Sequence, residues 1–181
     1  MRHSFPVALV LVVALLAAGC GSKKSSETTS TADWANSVCS AITTWTSSIK
    51  AVGDLFFDSK GGNLSKESLQ SHVDDVEAAT ETLRSDLRGL GKPNTQSGQQ
   101  AKDLVDQLAS DLKTEIDSIK QTVDGASGYT GAVTAAAAVS TTLVTMGDQI
   151  SSTFKSLQEL DAKGELQTAF QHASSCKKLS S

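Results

Sequence analysis

Proline, aromatic side chains, cysteine and histidine are all scarce in this chain. It carries 2 prolines, 5 phenylalanines, 2 tryptophans, 1 tyrosine, 3 cysteines and 3 histidines. Runs rich in Val, Ile, Tyr and Thr are scarce too, which argues against strands and leaves helices as the favoured element. The shortage of histidine and cysteine removes most metal and cofactor chemistry. A bundle di-iron site needs Glu-x-x-His pairs on two helices, and none occurs. Neither CxxCH for covalent haem nor HExxH for zinc is present. Serines are plentiful, but no GxSxG elbow frames one as a nucleophile. Residues 125–131 (GASGYTG) lack the lysine and following signature of a phosphate-binding loop. No basic patch exists either. The formal charge is −4, with acidic residues dispersed along the chain, so nucleic acid is not an expected partner. No cofactor is implied.

The N-terminus reads MRHSFPVALVLVVALLAAGC. Arg2 provides a basic start, residues 7–18 an unbroken apolar run, and Ala17-Ala18-Gly19 small side chains before Cys20. This is the layout of a secretory signal. A transmembrane helix is the competing reading. Residues 5–18 would span only about 21 Å of helix, short of a hydrocarbon core near 30 Å. Arg2 is the single basic residue of the leader, so its removal makes the mature chain one charge more negative.

Leu16-Ala17-Ala18-Gly19-Cys20 resembles a bacterial lipobox. The family favours leucine three places before the cysteine, where this chain has Ala17, with Leu16 one place further out. The resemblance implies that the Cys20 thiol is alkylated with diacylglycerol and the Gly19–Cys20 bond is cut. Residues 1–19 would then be a lipoprotein signal peptide. Membrane lipid would be the first partner, and the cell membrane's extracytoplasmic face the location. Each buried methylene of such an anchor contributes about 0.8 kcal/mol, and several chains hold where one does not.

Residues 20–32 form the next unit, the lipidated cysteine and a tether. Residues 21–32 (GSKKSSETTSTA) are nearly all Ser, Thr and charge, too polar to repay ordering. As a flexible coil they reach about 19 Å. Lys23 and Lys24 either touch anionic headgroups or simply aid solubility. The Ser/Thr cluster could carry sugars.

The third unit, 33–181, is read as a helical bundle domain, of a size that buries a real core. Trp34, Val38, Ile42, Trp45, Ile49, Val52 and Phe56 recur at helical spacing, predicting a helix over about 32–57 capped by Ser30 or Thr31. Leu69, Val73, Val76, Leu83, Leu87 and Leu90 predict a second, from Ser65 to about residue 90. Gly89, Gly91 and Pro93 stop it. Ala101, Leu104, Leu108, Leu112, Ile116, Ile119 and Val123 line a third, ending at Asp124-Gly125. Residues 125–131 read as a turn. Residues 132–160 read as a long small-residue helix, with Asp148 its one charge between Gly131 and Phe154, a composition that suits packing on several sides. A short last helix is expected over 165–177, with Lys177 and Lys178 suiting its C-terminal dipole. Short connections make neighbours antiparallel. The expected fold is all-α, an antiparallel four-helix bundle with a short extra C-terminal helix.

With Cys20 assigned to lipid, an oxidising compartment leaves Cys39 and Cys176 as an even pair, so a Cys39–Cys176 disulfide is expected, fastening the last helix to the first. A redox pair is the functional alternative, but the CxxC spacing is absent. Trp34 and Trp45 lie about 20° apart around a helix. They are either core residues or an aromatic wall for an apolar ligand. Tyr129 is either a contact at the bundle tip or an ordinary exposed tyrosine. Met146 with His172 could ligate a haem, though each reads more simply as a core or surface residue. His72 and His172 are the histidines of the mature chain.

Trp34-Ala35-Asn36-Ser37-Val38-Cys39 with Trp45 following, and Gly164-Glu165-Leu166 with Ala169-Phe170 and Cys176, together resemble small uncharacterised actinobacterial lipoproteins. The likeness covers the two ends of the chain and brings no established activity. It adds support for pairing Cys39 with Cys176, since each motif carries one. The expectation is a membrane-anchored envelope lipoprotein acting as a non-catalytic binding or interaction module, with an envelope protein or small ligand as partner. The alternatives are a carrier of an apolar ligand, or an enzyme whose pocket converges on His72 or His172.

Overall fold

The computed structural model describes residues 29–58, 65–160 and 164–178, with side chains for all of these but 52–58 and 178. The leader, Cys20 and most of the tether lie outside the described residues. The described chain forms helices α1 (Thr31–Asp58), α2 (Lys66–Gly89), α3 (Gly98–Asp124), α4 (Gly128–Glu159) and α5 (Glu165–His172), then a 3-10 turn at Cys176–Lys178.

The first two helices start where a serine satisfies free backbone donors. The Ser30 hydroxyl accepts the Asp33 N–H at 3.2 Å and donates to the Asp33 carboxylate at 2.6 Å, capping α1. Ser65 and Ser68 cap α2 reciprocally, each hydroxyl accepting the other's backbone N–H at 3.1 Å, a serine version of the capping box. The predicted stripes are the buried faces: Trp34, Val38, Ile42 and Trp45 on α1, Leu69, Val73, Val76, Leu83 and Leu87 on α2, with Ile49 and Leu90 half-buried and the Val52 and Phe56 side chains outside the described residues. The α3 stripe is buried as well, except that Leu104 is half-buried and Val105 and Ala109 join the core. Two polar side chains share it. Thr80 is fully buried, and Arg84 donates from Nε to the Ala109 carbonyl at 2.7 Å while pairing with Glu81.

The start of α4 departs from the sequence reading. The expected turn over 125–131 is shorter, and the helix begins at Gly128. Gly128 has φ +63°, so one left-handed residue completes the reversal, a conformation other side chains rarely take. Tyr129, Thr130 and Gly131 then enter the helix. The end of the chain also departs. The helix expected over 165–177 stops at His172, because Ala173 turns extended. Asn36 accepts hydrogen bonds from the Ser174 hydroxyl and the Ser175 N–H, both at 3.2 Å. Those bonds replace helical ones and steer Cys176 toward α1.

The packing order follows the chain. α1 packs on α2, α2 on α3 and α3 on α4, with α2 and α4 touching across the middle. Among the described residues, α1 and α4 do not form an extensive packed pair that would close the ring; α5 lies against both. Phe170 of α5 fits between Trp34 and Phe154, with ring centres 6.0 and 4.7 Å away and edge-to-face geometry. The Cys39–Cys176 disulfide, with S–S 1.99 Å, fastens the end of the chain to α1. The fold is the expected four-helix bundle with a stapled fifth helix.

α4 is not packed on several sides. Its buried residues, Ala132, Ala135, Val139, Met146, Ile150 and Leu157, form a single face, and Val133 and Val144 are exposed. The open α1–α4 edge explains this: one neighbour that would cover α4 is missing along part of its length. The chain also enters the fold before α1. Thr29 donates to the Lys92 carbonyl at 3.1 Å and accepts from the Asn94 N–H at 3.0 Å, so the last part of the predicted tether is clipped to the α2–α3 loop.

Candidate functional site

The open edge of the bundle is a groove. Where α5 ends, the gap between α1 and α4 remains as a cleft of about 700 Å³, within the usual range for small-molecule sites. Burial divides its lining into floor and rim. Ile42, Trp45, Ile150, Phe170 and Cys176 are buried and form the floor, with Phe154 half-buried beside them. Thr46, Ser151, Gln171 and Lys177 are exposed and form the rim, with Gln158 intermediate. None of these lining residues is acidic.

The floor is rigid and presents few polar atoms. The Trp45 indole N–H donates to Thr80 Oγ1 at 3.0 Å, and Thr80 donates onward to the Val76 carbonyl at 2.8 Å. That chain fixes the ring and uses its donor inside the bundle, so the cleft meets the apolar part of Trp45. The disulfide is part of the wall through Cys176. Its covalent link to α1 holds the 3-10 turn at the cleft's edge.

Gly147 completes the α4 side. Glycine inside a helix costs about 1 kcal/mol relative to alanine. Packing does not demand it here, since a Cβ built at Gly147 meets nothing within 4 Å. The missing side chain leaves a notch in the groove.

The structure places the candidate residues as follows. Cys20 lies outside the described residues. Cys39 and Cys176 are joined. Trp34 is core, its indole N–H donating to the Gly91 carbonyl at 2.8 Å. Trp45 is both core and cleft wall. Tyr129 is exposed at the far end of the bundle, away from the cleft. Met146 is fully buried, His172 is exposed on α5, and His72 sits half-buried on α2; none of the three lines the cleft. Among the described residues, no cluster of His, Cys, Asp or Glu gathers that could hold a metal ion. Sequence reasoning missed Ile150, Phe154, Phe170 and Gly147 as groove residues. The one local signal was a glycine inside an otherwise helical run.

Among the described residues, the two perturbed ionisable groups lie elsewhere. Hydrogen bonding from its own backbone N–H and then from Ser65 lowers the pKa of Glu67 at the start of α2. The Glu77 carboxylate, 2.8 Å away, raises that of Lys120. Glu67 is exposed at a helix start and Lys120 half-buried on a helix face.

Among the described residues, α4 is the one helix long and apolar enough to cross a membrane by length and composition, a coarse likeness to membrane-associated chains. Within the fold it packs against α3 through the single face described above. No protein-family profile matches the chain, and neither a characterised protein nor a solved structure does.

Proposed function

We propose that this chain is a cell-envelope lipoprotein, anchored through lipid on Cys20 at the extracytoplasmic face of the membrane, whose helical domain is a non-catalytic binding module. The observation that carries the binding role is the apolar cleft at the α1–α4 edge. Its lining offers aromatic and aliphatic surface, with hydroxyl, amide and ammonium groups at the rim. That is the composition of a binding site rather than of acid–base chemistry. The histidines that an enzyme reading would enlist stand apart from it.

The anchor reading is supported by the leader, the small residues before Cys20 and the position of Thr29. Between Cys20 and Thr29 the chain can extend at most about 30 Å. The clip at the α2–α3 loop therefore makes that end of the bundle, where α1 and α5 begin, the end held within this reach of the anchor. The cleft lies in the half of α1 that follows.

Fractionation and cross-linking in intact cells test this reading, comparing wild type with Cys20→Ala. The wild-type chain should incorporate labelled fatty acid, sediment with membranes and cross-link to envelope neighbours. Cys20→Ala should lose the label and those neighbours. A wild-type chain that takes up no label and retains residues 1–19 would refute the anchor.

A further inference from the structure

We infer that the α1–α4 cleft takes a linear alkyl chain, lying lengthwise along the groove, whose polar end is neutral or anionic. This inference rests on reading the cleft as a binding surface and adds the class of ligand.

Shape is the first argument. The α4 side of the groove runs from position 147 to 158, about 16 Å of helix axis. Facing it, the α1 side contributes Ile42, Trp45 and Thr46, three residues on one stripe. The result is a groove that runs along α4, faced by α1 over about 6 Å of its axis and by α5 and Cys176 beside it. A flexible chain can follow such a groove.

The second argument is chemical. A polar or flat hydrogen-bonding ligand would find little to satisfy it in the floor. The Trp45 N–H is spent on Thr80, and the other floor side chains are Ile42, Ile150, Phe170 and the disulfide-bonded Cys176. Unmatched polar groups there would be penalised. Polar atoms are confined to the rim. Among the described residues the lining holds no acidic side chain to attract a cationic head, while Gln158 and Gln171 offer N–H donors to a carboxyl or ester oxygen.

Gly147 is the third. The chain gives up helix stability at a position that its own packing leaves open, and that position opens into the groove. An added side chain would occupy ligand space. If each buried methylene is worth about fourfold in affinity, displacing even two would weaken binding about fifteenfold.

Two sources could supply the same chemistry. One is a free fatty acid or lysolipid of the membrane. The other is an acyl chain of this protein's own Cys20, nine residues before Thr29 in the sequence, a separation of at most about 30 Å.

The test feeds cells a photoactivatable, alkyne-tagged fatty acid and irradiates them. Adducts are then mapped by mass spectrometry on the full chain as wild type, Gly147→Leu and Cys20→Ser. Light-dependent adducts should fall on the segments carrying positions 42–46 and 147–158. Gly147→Leu should lose about fifteenfold of them while its thermal transition stays at or above that of the wild type. Ser151→Phe, at an exposed rim position, provides a second block should Gly147→Leu fold poorly. Adducts that persist in Cys20→Ser identify a free amphiphile; adducts that vanish with the anchor identify the protein's own acyl chain. A rigid polycyclic photoprobe is run in parallel. If it labels those two segments and the fatty acid does not, the linear-chain assignment is overturned and the binding cleft survives. If neither probe labels them, both are overturned.

Discussion

Reducing the Cys39–Cys176 disulfide should cost this domain a large share of its stability, because the bridge closes nearly the whole fold. The two cysteines are 137 residues apart. In the chain-entropy account, a loop of that length restrains the unfolded chain by about 5 kcal/mol, and measured values for native bridges run from about 2 to 5. The folded state should keep its shape on reduction. Phe170 still sits between Trp34 and Phe154, and Asn36 still holds Ser174 and Ser175. The loss therefore falls on the unfolded side of the equilibrium. Urea unfolding of the oxidised and reduced chain, followed by circular dichroism, measures it. With a slope of about 2 kcal/mol per molar urea, the midpoint should drop by about 1–2.5 M on reduction. The slope should also rise, as the uncrosslinked unfolded chain exposes more surface. A midpoint that moves by less than about 0.5 M, with unchanged slope, would show that the bridge does not constrain the chain in this way.

Gly147→Ala should stabilise the domain by about 1 kcal/mol through helix propensity alone, raising the melting temperature by about 2–4 °C; a lowered melting temperature would show that the notch is filled by packing. Trp45→Phe removes the bond to Thr80, which keeps its own bond to Val76, and should cost about 1–2 kcal/mol in chemical denaturation. Glu67 should titrate below the ordinary glutamate value in a carboxyl-carbon NMR titration, and Ser65→Ala should move its midpoint back up, since its own backbone N–H and then Ser65 stabilise the carboxylate. Because the folded-state pKa is the depressed one, this contribution is present above the usual glutamate range and is lost as the pH falls through the lowered value.

The helices were legible because their apolar spacing is regular and their starts carry serine caps. Among the described side chains, α1, α2 and α3 bury most of what their stripes pick out, and reading Cys20 as a lipid site left two cysteines, enough to draw the staple. What could not be read is what depends on neighbours. Val105 and Ala109 sit beside the predicted α3 stripe, and they become core because α2 packs there, with Arg84 reaching the Ala109 carbonyl. The GASGYTG segment looks like a loop by composition, yet the left-handed Gly128 ends the turn early and the helix absorbs the rest. The last helix breaks at Ala173 through contacts with Asn36, distant in sequence.

The cleft is the extreme case. Ile42, Trp45, Ile150, Phe154 and Phe170 each look like ordinary core positions from their own helix. They line a groove only because α1 and α4 stay unpaired where α5 ends. Periodicity reports that a face is apolar and is silent on whether a partner covers it. Gly147 was the local sign, a helix-weakening residue with nothing packed against it.

The binding role of the cleft is tested most directly by native mass spectrometry of the oxidised chain carrying Cys20→Ser, in which no covalent acyl group can fill the groove. This chain should carry one non-covalent adduct with the mass of a fatty acid or lysolipid, or should gain one when either is added, and Gly147→Leu in the same background should bind about fifteenfold more weakly. A Cys20→Ser chain that remains free of any adduct, with its disulfide intact and the amphiphile in excess, would contradict the account.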